Sequence, residues 1–84
     1  MGDARALVEV VARALADDPT QVTVTEAEHR GVSVVEVFMA PGELGRLIGR
    51  QGRTAQALRT LAQATGDRAG RKVQVEFRDG APRR

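Results

Sequence analysis

Residues 43–65 carry apolar side chains at helical spacing, but glycines at positions 49 and 52 interrupt them, so this stretch cannot fold as one long helix. Glu43-Leu44-Gly45-Arg46-Leu47-Ile48 makes a short helix with Leu44, Leu47 and Ile48 on one side. A second pattern opens at Arg53, with Leu58, Leu61, Ala62 and Thr65 facing inward and Arg53, Gln56, Arg59 and Gln63 facing outward. It is expected to end at Gly66, acting as the residue just past the last turn, after about thirteen residues.

The flanking segments supply the rest of the fold. Asp3 is placed to cap a helix in which Ala4, Leu7, Val8, Val11, Ala14 and Leu15 recur at helical spacing, while Arg5, Glu9 and Arg13 line another face four residues apart. Asp17-Asp18-Pro19 stops it, because proline cannot continue the hydrogen-bond ladder. Residues 21–28 alternate and are rich in β-branched side chains, His29-Arg30-Gly31 turns, and Val32–Met39 is β-rich again, which predicts a hairpin. Pro41-Gly42 breaks the second strand. After a basic loop at 67–71, Val73, Val75 and Phe77 alternate with Lys72, Gln74, Glu76 and Arg78 in a last strand. The predicted order is helix, strand, strand, helix, helix, strand: an α+β domain whose three-stranded sheet carries helices on one face, with the third strand free to pair in parallel after its helical crossover. The domain is expected to span residues 1–80, with 81–84 a frayed tail.

An 84-residue chain can bury one core and no more. With only Phe38 and Phe77 as aromatics, that core must be built from Val, Leu, Ile and Ala, and a core so thin gains from oligomerisation. There is no cysteine, which excludes disulfides and thiolate metal sites. The amino-terminal residues do not read as a targeting signal, and no apolar run approaches the roughly 20 residues of a membrane span, so a cytoplasmic protein is expected.

Charge is unevenly placed. Residues 1–45 hold three arginines against eight acids, whereas 46–84 hold nine arginines and one lysine against three acids. A cationic half of this kind suits a polyanion, because each phosphate it neutralises releases counterions. A solvated charged surface is the plainer account, and composition alone does not separate the two.

Ile48-Gly49-Arg50-Gln51-Gly52-Arg53 decides between them. Two glycines three apart remove side chains where one backbone must approach another and permit left-handed dihedrals. The helix opening at Arg53 aims its unpaired N–H groups at whatever fills the loop, and Arg46, Arg50 and Arg53 surround that point with cations. A bare Gly-x-x-Gly is most often only a tight turn between helices. Here an aliphatic pair precedes it, arginines flank it, and a β-α-α-β order surrounds it.

On these residues the chain resembles the KH domains, in which a Gly-x-x-Gly loop clamps the backbone of about four nucleotides. Leu47-Ile48-Gly49-Arg50-Gln51-Gly52-Arg53-Thr54 matches their motif, and the helix-strand segment ahead of the β-α-α-β core is similar to the type II, bacterial arrangement. With so little outside that core, the chain resembles the small stand-alone bacterial KH proteins of the KhpA (YlqC) group over nearly all of residues 3–78. The resemblance implies single-stranded RNA binding, as a post-transcriptional regulator or RNA chaperone. Gly49 and Gly52 would meet the sugar-phosphate backbone, with Arg50 and Gln51 at the tip and Arg46 and Arg53 beside them. Ile48 and aliphatic residues of the second strand such as Val37 would floor a groove for the bases, and the 67–71 loop would form its other wall. The resemblance also implies a homodimer, or a heterodimer with a KhpB-type KH protein, and no cofactor. The shortage of aromatics fits a KH groove better than the stacking strands of an RRM or OB fold.

Catalysis is not expected. The P-loop pattern fails because position 47 is leucine and the required lysine is Arg53, and the dinucleotide fingerprint fails for want of a glycine at 47. His29 reads as a solvated turn residue. Glu26 and Glu28 share a strand face that reads as exposed and polar rather than as a cation site. The competing readings are a protein-interaction module, which would keep its partner after the loop is made acidic, and a single-stranded DNA binder.

Overall fold

The computed structural model describes residues 3–48 and 53–82, with the backbone but not the side chains of residues 46–48. Its elements are α1 (Asp3–Leu15), a 3₁₀ turn at Pro19–Gln21, β1 (Thr23–His29), β2 (Val32–Met39), α2 (Glu43–Ile48), α3 (Arg53–Arg68) and β3 (Lys72–Asp79). The strands lie in the order β1-β2-β3, with β1 antiparallel and β3 parallel to β2. The α+β architecture expected of the sequence is therefore present.

The hairpin turns on two residues. Arg30 and Gly31 both have positive φ, 53° and 80°, the pattern of the tight turn whose twist matches that of paired strands. His29 then pairs with Val32, and that register puts Val24, Glu26 and Glu28 opposite Val37, Val35 and Ser33 on the helix side. Glu26 and Glu28 thus lie on the side of the sheet that faces the helices, where Glu26 is half-buried while Glu28, towards the strand end, stays exposed. Glu28 lies 3.8 Å from Arg71.

The core is as thin as composition requires: Val8, Val22, Val35, Val37, Met39, Leu58, Val73 and Val75, closed by Ala4, Ala12 and Ala62. In α1 the buried stripe is Ala4, Val8 and Ala12, narrower than the predicted face. Leu15 is exposed, because small residues at positions 4 and 12 let the helix settle close to its neighbours along a single i,i+4 row. The predicted charged face is present: Arg5 Nη1 and Arg13 Nη2 reach Glu9 at 2.7 and 2.9 Å. Those hydrogen bonds, first Arg13's and then Arg5's, hold the Glu9 carboxyl below its ordinary pKa.

The carboxyl end of α3 departs from expectation. The helix runs 16 residues, and Gly66 lies inside it, buried. A Cβ on Gly66 would collide with the Val73 side chain and come within 2.8 Å of the Arg71 carbonyl oxygen, so this glycine serves close packing rather than termination. Termination falls to Gly70, at φ 73°. Arg71 N–H donates to the Gly66 carbonyl at 2.8 Å and Gly70 N–H to the Asp67 carbonyl at 3.1 Å, the paired bonds of a Schellman cap. Most of the predicted 67–71 loop is therefore helix end and cap.

Each outer strand has a carbonyl taken by a helix arginine. Arg5 Nη1 donates to Val24 of β1 at 3.3 Å and Arg59 Nε to Val75 of β3 at 3.4 Å. Occupied carbonyls and nearby charge discourage further strands from adding to a short sheet.

Candidate nucleic-acid interface

The four residues Gly49, Arg50, Gln51 and Gly52 lie outside the described residues, as do the side chains of Arg46 and Ile48. What surrounds them is defined. α2 ends at Ile48 and α3 begins at Arg53, which is exposed, so the chain passes from one helix to the next in four residues. α2 lies against both α3 and β3.

Two ties fix α2. Leu44 packs against the core. Glu43, its first residue, accepts the backbone N–H of Asp17 at 2.5 Å through Oε1 and that of Asp18 at 3.1 Å through Oε2. A carboxylate at a helix's first residue also meets the positive end of its dipole. Asp18 in turn organises the 3₁₀ turn: its Oδ1 accepts from Thr20 Oγ1 at 2.5 Å and Thr20 N at 3.2 Å, and its Oδ2 from Gln21 Nε2 at 2.9 Å. These bonds, Thr20's foremost, hold the Asp18 carboxyl below its usual value. No helix-spacing or motif argument ties position 43 to positions 17 and 18; an acid opening a helix is the one local hint.

Four expectations about side-chain placement are corrected. Val37 is fully buried and faces the helices from the central strand, so it supports the sheet from within and cannot touch a ligand. Arg59, expected to face outward, is half-buried, with its guanidinium carbon 5.1 Å from the centre of the Phe77 ring. Phe77, expected in the core, is also only half-buried: it pairs with Val37 but sits on the outer strand. Leu61, expected inward, is 51% exposed. The α3 face that packs is Ala55, Leu58, Ala62 and Gly66.

This arrangement of a mixed three-stranded sheet with helices on one side is shared with solved structures. A crystal structure of an Aquifex aeolicus Era variant bound to GDP and AlF4 superposes with a TM-score of 0.60 at 21% identity. One of Era in complex with MgGDPNP and nucleotides 1506–1542 of 16S ribosomal RNA gives 0.62 at 21% identity. Both matches cover 94% of this chain and 30% of the other, and at that identity they show the fold alone. The class is thus a single small α+β domain with a mixed three-stranded sheet.

The model of the KhpA/KhpB KH-domain family matches residues 5–77, and the chain belongs to that family. Similar proteins include one named RNA-binding protein KhpA from Aquifex aeolicus, 44% identical over 84% of this chain and 90% of that one. The one of the same name from Leifsonia xyli is 46% identical over 90% and 96%, and that from Streptomyces coelicolor 42% over 86% and 87%. The family is one of KH domains, not of enzymes. Among the described residues no helix is long and apolar enough to cross a membrane.

Proposed function

We propose that this chain binds single-stranded RNA, clamping its sugar-phosphate backbone with Gly49-Arg50-Gln51-Gly52. The observation that carries the reading is the four-residue passage between α2 and α3, with glycines at both ends and two polar side chains between them. Glycines let backbone meet backbone, the first N–H groups of α3 have no intrahelical partners, and Arg46, Arg50 and Arg53 add charge at the same point. Names of the relatives support RNA as the polyanion. Ile48 lines the base groove in this reading, residues 1–80 are the domain and 81–84 its tail. The protein acts in the cytoplasm as a non-enzymatic post-transcriptional regulator or RNA chaperone.

One KH domain reads about four bases, so pairing with a second copy or a KhpB-type protein raises avidity. Exposed Val10, Leu15 and Leu61 on α1 and α3 support such pairing, since large apolar side chains left in water gain from burial against a partner.

The test is titration of a fluorescent mixed-sequence single-stranded RNA with wild type and with Arg50→Asp/Gln51→Asp, both checked for folding by circular dichroism. Wild-type affinity is expected to fall with salt, with a log–log slope of about −0.7 per phosphate contacted. The folded variant is expected to lose binding at least tenfold, roughly the effect of reversing charge at a phosphate contact. Equal binding by the folded variant would reduce the loop to a turn.

A further inference from the structure

Where β1 lies beside the cap of α3, a cleft of about 560 Å³ opens between α1, β1 and Arg71, within the size range of small-ligand sites. Arg5, Glu26, Glu28, Ser33 and Arg71 line it. A smaller recess of about 40 Å³ shares Glu26, Ser33 and Arg71 with the cleft and is otherwise lined mainly by Ala4, Gly66, Ala69 and Val73, with Asp3 and Thr65 completing it. None of these side chains belongs to the clamp proposed above.

The recess takes only a few heavy atoms, since roughly 10–15 Å³ suffices for one water. It admits a short aliphatic group and no aromatic ring. Ser33, 1% exposed, brings a hydroxyl to both spaces in a core otherwise made of aliphatic side chains and Met39. Charges of both signs stand beside it. Arg71 Nη2 and Glu28 Oε2 are 3.8 Å apart, too far for a hydrogen bond, and at least half of each side chain is exposed. The Arg71 backbone N–H is held by the Gly66 carbonyl, so its side chain can turn to a ligand without disturbing the helix cap. Arg5 is already committed to Glu9 and the Val24 carbonyl.

We infer that this cleft is a binding site for a free α-amino acid with a short aliphatic side chain. The carboxylate takes the Arg71 guanidinium, whose planar fork suits it, and the ammonium takes Glu28, with Glu26 and Asp3 adding carboxylates to the same site. A ligand of one charge gains one partner here and is repelled by the other. A bare carboxylate beside Arg71 also meets Glu28, and a bare ammonium beside Glu28 also meets Arg71. A zwitterion replaces one loose ion pair by two close ones and leaves no charge unpaired. Its methyl or isopropyl group enters the recess against Ala4, Ala69 and Val73 and gains apolar burial.

The experiment is an NMR titration of isotope-labelled protein with L-valine, followed by backbone amide shifts, with L-tryptophan, acetate and propylamine titrated alongside. Valine is expected to move the amides of Ser33, Gly66 and Arg71 with a Kd on the order of 1 mM, modest for so few atoms. Tryptophan, too large for the recess, and the two singly charged compounds are expected to bind about tenfold more weakly or not at all, each lacking one charged or apolar contact. Arg71→Gln and Glu28→Gln, checked for folding by circular dichroism, are each expected to raise the Kd for valine about tenfold, the worth of one hydrogen bond to a charged group. No shift under a large excess of valine, shifts that map outside the cleft, or an equal response to acetate or propylamine overturns the inference without any variant. Unchanged affinity in either folded variant overturns it as well. The RNA titration reads the clamp separately, so the two readings fail independently.

Discussion

The carboxylate of Glu43 accepts the backbone N–H of Asp18 at 3.1 Å across 25 residues of sequence. That bond, with its companion to Asp17, joins the first turn of α2 to the connection between α1 and β1. Replacing Glu43 by alanine removes both acceptors. Because water reaches this site, the expected loss is about 1 kcal/mol rather than the larger value for buried charged bonds. A melting temperature lower by about 4–8 °C would register it, with RNA affinity falling in the same variant.

Gly66→Ala sets two effects against each other. Alanine is the better helix former by about 1 kcal/mol. Its methyl would meet the Val73 side chain and the Arg71 carbonyl, the latter belonging to a residue whose own N–H caps the helix. Overpacking of this kind costs about 1–3 kcal/mol, and here a backbone group cannot rotate aside. The variant is therefore expected to be less stable by about 1–2 kcal/mol in urea denaturation, the balance of those opposing terms. A stabilised variant would contradict the packing role.

Leu58 and Leu61, three residues apart on α3, separate core from surface. Leu58 is 1% exposed and Leu61 51%. Leu58→Ala is expected to cost about 2–5 kcal/mol, and Leu61→Ala less than about 0.5 kcal/mol in the isolated chain. Denaturation at low concentration measures both, and a concentration-dependent loss for Leu61→Ala alone would report partner burial.

Acid should loosen α1. The Glu9 carboxyl titrates below its unfolded value because Arg13 and Arg5 donate to it. Its contribution is thus present above the ordinary carboxylate range and lost as pH falls through the lower folded value. Melting temperatures of wild type and Glu9→Gln, followed from pH 7 downward, are expected to differ near neutrality and converge in acid. A gap independent of pH would show that the ion pairs contribute nothing.

Much of this molecule was legible in its residues. Alternation at 72–78, β-branched runs on either side of Arg30-Gly31, and breaks at Pro19 and Pro41-Gly42 are local signals, and local backbone preference fixes element type. The family motif at 47–54 is contiguous, so it could be read without any fold.

The errors fell where distance in sequence mattered. Gly66 looks like a helix terminator until Val73 is brought against it, and Gly70 then proves to be the terminator. Val37 and Phe77 sit at paired positions in neighbouring strands, yet one is sealed and the other half-open, because only the order β1-β2-β3 makes one strand central and the other an edge. Helical periodicity assigned Arg59 to solvent, but the face of α3 that packs is rotated toward Ala55 and Ala62, bringing Arg59 over Phe77. Sequence by itself determined the α-helices, the strands and their order. Tertiary structure alone decided which side chains are accessible, because burial depends on what the neighbouring element covers and not on a residue's own polarity.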